Sequence, residues 1–288
     1  MSSEIFDIAI IGGGPAGLSA ALTGRIRNKN VAIFEHMDFS LKLQKAHIVD
    51  NYLGVPQITG QGMMQQFLAH CSAHNPTIIK EKIVNIFPGE GIFTLVSPKA
   101  TYQARSVIIA TGVVATTIFQ GEKEFLGKGV SYCATCDGMM YKGKDVAVIS
   151  YTAEGEHEAE YLSELCRTVY YLPQYKDVPT LRSGIKILNE KPEAITGDVV
   201  VQKLQVNKEE LSVHGVFIIR MSDPVENVLP GLALEGEVIK VNRDMSTSIP
   251  GVFAAGDCTG KPWQIAKATG EGLVAVLSAI SYLGKTDK

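Results

Sequence analysis

The sequence has little cysteine and almost no tryptophan: five and one in 288 residues. The thiols Cys71, Cys133, Cys136, Cys166 and Cys258 are odd in number and scattered but for one pair, which excludes the disulfide framework of a small secreted protein. That pair has no second C-x-x-C to complete a zinc site, so no metal is expected, and the six histidines are assigned no role. Charge of one sign is scarce too. The net −3 and the lack of a basic run with interleaved aromatics argue against a nucleic-acid partner. Long hydrophobic runs are missing: Gly272–Gly284 is too short to span a bilayer, and MSSEIFD leads into an apolar strand without a basic, cleavable leader. The expectation is a cytoplasmic protein with no membrane partner.

What is present suits a packed α/β enzyme of one or two domains, with 45% hydrophobic residues and 28 glycines over a length that buries a substantial core. The clearest pattern is FDIAIIGGGPAGLSAALTGRIRNKNVAIFE. Phe6–Ile11 read as a buried parallel strand, and Gly12, Gly13, Gly14, Pro15, Ala16 and Gly17 follow as G-x-G-x-x-G opening a helix. Gly12 permits the tight turn, Gly14 lets a pyrophosphate approach the backbone, and Gly17 lets helix pack on strand. The phosphates then sit where unpaired N–H groups and the helix dipole favour negative charge. VAIFE ends a second strand in Glu35, eighteen residues after Gly17, placed to accept hydrogen bonds from a ribose. A nucleotide is the expected ligand.

CATCDG (133–138) carries the second signal. Two thiols separated by two residues close a small disulfide, and a position near a helix start lowers a thiol's pKa. With half of a zinc site missing, a redox-active pair is favoured. Asp137, directly after the pair, suits a general acid or base for a thiolate, or a helix N-cap, or both. Cys71 and Cys166 read as structural thiols in helical contexts, and Cys258 as packing beside Asp257.

Two later segments, SVIIATG (106–112) and IPGVFAAGDCTGKPWQIAKATGEGLVAVLSA (249–279), add a strand ending in a small-residue turn and a strand, Gly-Asp turn and final helix. Through GGGPAG (12–17), DNYLG (50–54), ATG (110–112), CATCDG and GVFAAGD (251–257), the chain resembles the two-dinucleotide-domain flavoprotein reductases, specifically the low-molecular-weight thioredoxin reductases. The resemblance covers both ends and the centre of the chain. It implies an α/β fold of two Rossmann-like, three-layer ββα dinucleotide-binding domains, the second inserted into the first: an FAD-binding domain from residues 1–113 and 241–288, and a disulfide-carrying domain from 114–240. It implies FAD at the first glycine turn and at the turns of Thr111, Gly112 and Gly256, with Asp257 on the ribityl chain. Asn51 would face the flavin ring, and Gln264 and Ile265, opening the last helix, would point toward it. Lys42 stands where the family has glutamine. By the same resemblance Cys136 lies next to the flavin C4a and Cys133 attacks the disulfide of thioredoxin, in a homodimer whose domains rotate between the two tasks.

The stretch VAVISYTAEG (146–155) departs from the family. Aligned on its strand, it puts Ser150, Thr152 and Gly155 where the pyridine-nucleotide unit has Gly, Gly and Ala, so a β-branched side chain stands where backbone must meet a pyrophosphate. Glu154, Glu156, Glu158 and Glu160 crowd the following helix, which repels phosphate or simply forms a solvated acidic face. Pro173-Gln174-Tyr175 replaces the basic cluster that binds a 2′-phosphate, and no acid for an unphosphorylated ribose is offered either. The unit is expected to be degenerate, keeping its fold and losing its nucleotide.

On this point the chain resembles the ferredoxin-dependent flavin thioredoxin reductases, which keep FAD and C-x-x-C without the nucleotide motifs. Residues 113–240 hold 13 Lys and Arg against 19 Asp and Glu, and the rest of the chain 14 against 11, so an acidic ferredoxin would meet a basic first domain. Arg25, Arg27, Lys29, Lys42, Lys45, Lys80, Lys82, Lys261 and Lys267 are the candidate docking charges. The expected reaction passes electrons from reduced ferredoxin through FAD and the Cys133–Cys136 disulfide to thioredoxin. The alternatives are an NAD(P)H-dependent enzyme with an atypical site, a reductase of a small disulfide or thioredoxin-like protein, and a non-catalytic flavin-binding redox sensor; the last has no use for the thiol pair.

Overall fold

A computed structural model describes residues 5–36, 39–112, 120–132, 134–177, 179–207, 209–220 and 225–286. The chain divides into two compact units, Met1–Val114 with Pro224–Lys288, and Ala115–Asp223. The first unit opens with β1 (Ile5–Ile11), α1 (Pro15–Ile26), β2 (Val31–Phe34), α2 (Leu41–Gln44), α3 (Gly60–Ser72), β3 (Thr77–Ile79), β4 (Asn85–Pro88), β5 (Phe93–Val96) and β6 (Thr101–Ile109). The second holds β7 (Val130–Ser131), α4 (Ala134–Asp137), β8 (Asp145–Ser150), α5 (Glu154–Leu165), β9 (Thr168–Pro173), β10 (Lys186–Ile187), β11 (Pro192–Gly197), β12 (Val201–Val206), β13 (Glu209–Ser212) and β14 (Gly215–Ile219). The chain then returns to the first unit with α6 (Val225–Val228), β15 (Leu234–Glu235), β16 (Val238–Ile239), β17 (Val252–Ala254) and α7 (Ile265–Thr286).

In the first unit β3, β2, β1 and β6 run parallel, and β5 and β4 continue the sheet antiparallel. β6 is shared: Thr101–Ala104 pair with β5, whereas Val107–Ile109 pair with β17 in parallel. Because successive strand residues face opposite sides, Ile8, Ile10, Ile33 and Ile108 pack under α1, α3 and α7, while Ala9, Ile11, Phe34 and Ile109 pack with β4 and β5 on the other face. Pro15 at the first helical position fixes the start of α1, and Thr59 Oγ1 caps α3 by accepting the Gly62 N–H at 3.1 Å. α1 and α7 meet backbone to backbone, since a Cβ on Gly272 would stand 2.1 Å from Ala16 O.

The second unit has a parallel sheet in the order β10-β9-β8-β14-β7. One face, through Val146, Val148 and Phe217, packs on Ala159 and Leu162 of α5; the other, through Ala147, Ile149 and Ile218, packs on the antiparallel β11-β12-β13. Each unit is thus a three-layer α/β fold. The chain rejoins the first unit by residue 225, earlier than the expected 241. Leu229, Leu232 and Ile239 are buried with Ile83 and Ile86 of the first unit's core, and this apolar anchoring draws residues 225–240 out of the expected 114–240 span. No helix among the described residues is long and apolar enough to cross a membrane.

Candidate functional site

The first site forms where strands of the first unit end at the C-terminal edge of their sheet, the usual place for ligands in such folds. Gly12 follows β1 at φ +108, and a Cβ there would lie 2.4 Å from Ala110 O; a Cβ on Gly17 would lie 2.0 Å from Gly12 O. Both positions are closed to any other residue. Gly14 differs. It caps α1 with no side chain, and its absent Cβ would meet nothing nearer than Ser40 at 4.0 Å, leaving an open approach to the first N–H groups of the helix. Pro15 and Ala16 lead into that first turn.

Around this turn the expected residues come together. Glu35 Oε2 accepts the Gly13 N–H at 2.8 Å, tying the ends of β1 and β2 and holding the carboxylate beside the turn. Thr111 and Gly112 follow β6, Gly112 at φ +75. Gly256, at φ +88, is fixed by Glu271 Oε2, which accepts its N–H at 2.8 Å, and by Lys267 Nζ, which donates to its carbonyl at 2.8 Å. Asn51 Nδ2 donates to Gln264 Oε1 at 2.8 Å, joining the Asn-Tyr loop to the residue that precedes Ile265 and α7. Lys42 Nζ lies 2.7 Å from Asp257 Oδ2. This pair, 215 positions apart in sequence, was not foreseeable from either residue alone. The open cradle at Gly14, the anchored Glu35 carboxylate and the ordered Gly-Asp turn together fit FAD. Bound there, its pyrophosphate would meet the start of α1, and Asn51, Asp257 and Gln264 would hold the rest.

The second site lies in the other unit. Cys133 and the side chain of Cys136 fall outside the described residues, but the frame around them is defined. Glu158 Oε2 on α5 accepts the Ala134 N–H at 3.0 Å, at the start of α4. Ser131 Oγ donates to Asp137 Oδ2 at 2.6 Å. Asp137 makes no side-chain cap on the 3-10 turn that follows, so the expected capping role gives way to this bond with Ser131. Tyr132 donates its hydroxyl to Glu122 Oε1 at 2.8 Å, and Glu122 pairs with Arg220 at 2.6 and 2.8 Å, both carboxylate and guanidinium buried. A buried, bidentate pair with a third donor is a rigid support one residue from the thiol motif. No sequence pattern marks it, because its members lie far apart and carry no motif.

The degenerate turn is closed by its own side chains. Ser150 is fully buried, and its Oγ donates to Thr152 O at 2.6 Å and fills the space beside Gly155, where a Cβ would lie 2.1 Å away. The Thr152 hydroxyl is buried without a hydrogen-bond partner among the described residues. Glu156 accepts from the Tyr175 hydroxyl at 2.6 Å and from the Thr180 N–H at 3.1 Å, and Tyr175 also meets Tyr171 at 2.9 Å. Burial and the Glu156 bond raise the Tyr175 pKa, keeping it a donor. Glu156 and Glu158 are therefore structural partners rather than the solvated face the acidic run suggested.

Burial pushes the Cys71 and Cys166 thiols up to about 11 and that of Cys258 to about 12, as suits structural cysteines; Cys258 Sγ donates to the carbonyls of Ile109 and Ala255. His70 and His74 form an H-x-x-x-H, contrary to the expectation that the histidines show no metal spacing; no group of three His, Cys, Asp or Glu among the described residues is placed to hold a metal ion. Burial, with Lys82 nearby, lowers the pKa of His36 to about 4.

The family model for pyridine nucleotide-disulphide oxidoreductases matches residues 6–272. The thioredoxin reductase of Helicobacter pylori is 36% identical to this chain, with 97% of this chain and 99% of that protein covered. That of Mycoplasma pneumoniae is 31% identical, with 95% and 94% covered. A solved structure of a ferredoxin-flavin thioredoxin reductase from Clostridium acetobutylicum is similar with a TM-score of 0.92 at 46% identity, covering 99% of each chain. With the flavin cradle intact in one unit and a C-x-x-C helix in the other, the chain belongs to the pyridine nucleotide-disulphide oxidoreductase family, as an FAD-binding oxidoreductase related to the thioredoxin reductases.

Proposed function

We propose that this protein passes electrons from reduced ferredoxin, through FAD and a Cys133–Cys136 disulfide, to thioredoxin. The observation that carries the donor assignment is the closed turn of the second unit. Ser150 occupies the space of the missing glycine, and Glu156 and Tyr175 are bonded to each other where a dinucleotide and its phosphate partners would have to enter. The likeness to the ferredoxin-flavin enzyme of Clostridium acetobutylicum supports the same reading.

When bound, FAD supplies the junction between a donor that gives one electron at a time and a disulfide that takes two. The chain's own residues do the rest. The first turn of α1 and Gly14 hold the phosphates, and Glu35 orients the ribose side of the site. Two electrons and two protons convert the disulfide to two thiols. Cys133, as thiolate, attacks the thioredoxin disulfide and forms a mixed disulfide; Cys136 then attacks Cys133, releasing thioredoxin as a dithiol and restoring the disulfide. Asp137, fixed by Ser131, is placed by sequence to hold or return the Cys136 proton. The working unit in this proposal is a cytoplasmic homodimer whose two domains are the FAD-binding and disulfide-carrying parts.

The test is anaerobic: reduced ferredoxin, NADPH and NADH are offered in parallel, and the flavin absorbance is followed. Ferredoxin is expected to bleach the flavin and neither nicotinamide to do so at a useful rate. Rapid bleaching by stoichiometric NADPH would overturn the proposal.

A further inference from the structure

We propose that the exposed cluster of Trp263, Lys261 and Lys42 on the first unit is the docking surface at which an acidic one-electron carrier protein delivers its electrons. The inference rests on the function proposed above and gives that donor an address. Trp263 is the single tryptophan of the chain and is 48% exposed. Two ammonium groups lie over its ring, Lys42 Nζ at 5.1 Å and Lys261 Nζ at 5.5 Å from the centroid. Large aromatics of this kind are where binding energy concentrates once a partner covers them, and lysines at their rim steer a negatively charged partner into place.

The cluster is held in position. Gln264 donates its N–H to Pro262 O at 2.9 Å and receives the Asn51 bond on its side chain, while Lys42 is anchored on Asp257 yet keeps its side chain 63% exposed. The Asn51 bond also ties this segment to the loop that exposes Ile48 and Leu53. Two of the other candidate docking charges are engaged elsewhere. Arg25 donates to the carbonyls of His74 and Lys29 at 3.1 and 2.9 Å, and Lys267 is committed to Gly256, Thr259 and Glu271. Neither serves as a free docking charge.

Position supplies the last argument. Trp263 immediately precedes Gln264 and Ile265, and Asn51 lies on the neighbouring loop; these are residues assigned to the flavin. A one-electron carrier must dock twice for each disulfide reduced, so its surface must release as readily as it binds. A small apolar centre with a charged rim meets that need better than a large apolar face.

The test uses the FAD-loaded enzyme with Lys261→Glu, Trp263→Ser and, as a control of equal net charge, Lys99→Glu, in the turn between β5 and β6 at the opposite edge of the sheet from the site. The second-order rate of flavin reduction by an acidic ferredoxin is measured against ionic strength, beside photochemical reduction by a deazaflavin, which needs no docking. Lys261→Glu is expected to slow ferredoxin roughly tenfold at low salt and to converge on the unmodified enzyme as salt rises; Trp263→Ser is expected to be slow at every salt concentration. Photoreduction, thioredoxin exchange and the ferredoxin rate of Lys99→Glu should be unchanged. Ferredoxin rates equal to the unmodified enzyme in both variants would overturn the docking surface alone, as would a loss confined to thioredoxin exchange or an equal loss in photoreduction. Failure of the unmodified enzyme to accept electrons from ferredoxin would remove the underlying function as well.

Discussion

A single Cβ is enough to test the cofactor cradle. Gly14 is not forced by packing, since its Cβ would touch nothing closer than 4.0 Å, so Gly14→Val should fold and still retain little FAD, because the side chain occupies the phosphate approach. Full flavin content in the purified variant would show that this turn does not hold the cofactor. His36 makes a different prediction. Its pKa in the fold is lowered to about 4 by burial and by Lys82, so the unfolded chain takes up its proton first on acidification. Stability should therefore be whole above about pH 6.5, fall as the pH drops toward 4, and level below that, with a loss of about 2 kcal/mol between pH 7 and 5. Denaturation midpoints should show a smaller loss over that interval for His36→Gln, and an unchanged loss would sink the assignment. At this scale the sequence was readable where chemistry and spacing coincide, as in Gly12, Gly14, Gly17 and Glu35. It was silent on Lys42 with Asp257 and on Glu122 with Arg220, because side chains brought together across 215 and 98 positions leave no local pattern.

The informative element is α5. Read as sequence, its glutamates were repulsion and solvation; folded, Glu156 closes the old nucleotide cleft with Tyr175, and Glu158 holds the N–H that opens the thiol helix. Glycine at positions 150 and 152 should accordingly fail to restore reduction by NADPH, since Glu156 and Tyr175 would still bar the cleft; bleaching by NADPH in the double variant would contradict this. Glu158 makes a finer prediction. A carboxylate at the start of α4 opposes the helix dipole's stabilisation of a thiolate, so Glu158→Gln, which keeps an acceptor and removes the charge, should shift the disulfide potential about 10–20 mV toward easier reduction. Equilibration against dithiol redox buffers reads the shift directly, and no change would mean that Glu158 serves geometry alone. The strands β1, β2, β6 and β8 were legible from their apolar runs. The edge of the inserted unit was not, because the apolar residues of 225–239 do not declare which core they join.

For the whole molecule, the order of electron flow can be caught in the act. Cys136→Ser should leave Cys133 to form a mixed disulfide with thioredoxin that cannot resolve, and trapping only through Cys136 in the converse variant would exchange the two roles. That one unit interrupts the other was legible from the glycine turns at both ends of the chain. The interruption also has a consequence in time. β6 lacks its partner β17, and α1 lacks the helix against which Ala16 and Gly272 touch, until the ribosome has made the entire second unit. At ordinary synthesis rates the nascent first unit waits on the order of ten seconds with one flank of its sheet and the apolar face of α1 uncovered. During that interval the residues after the second unit that line the flavin site, Asp257 and Gln264 among them, do not yet exist. The cofactor site is thus completed only by the segment translated after the second unit, which carries Gly256, Asp257 and Gln264.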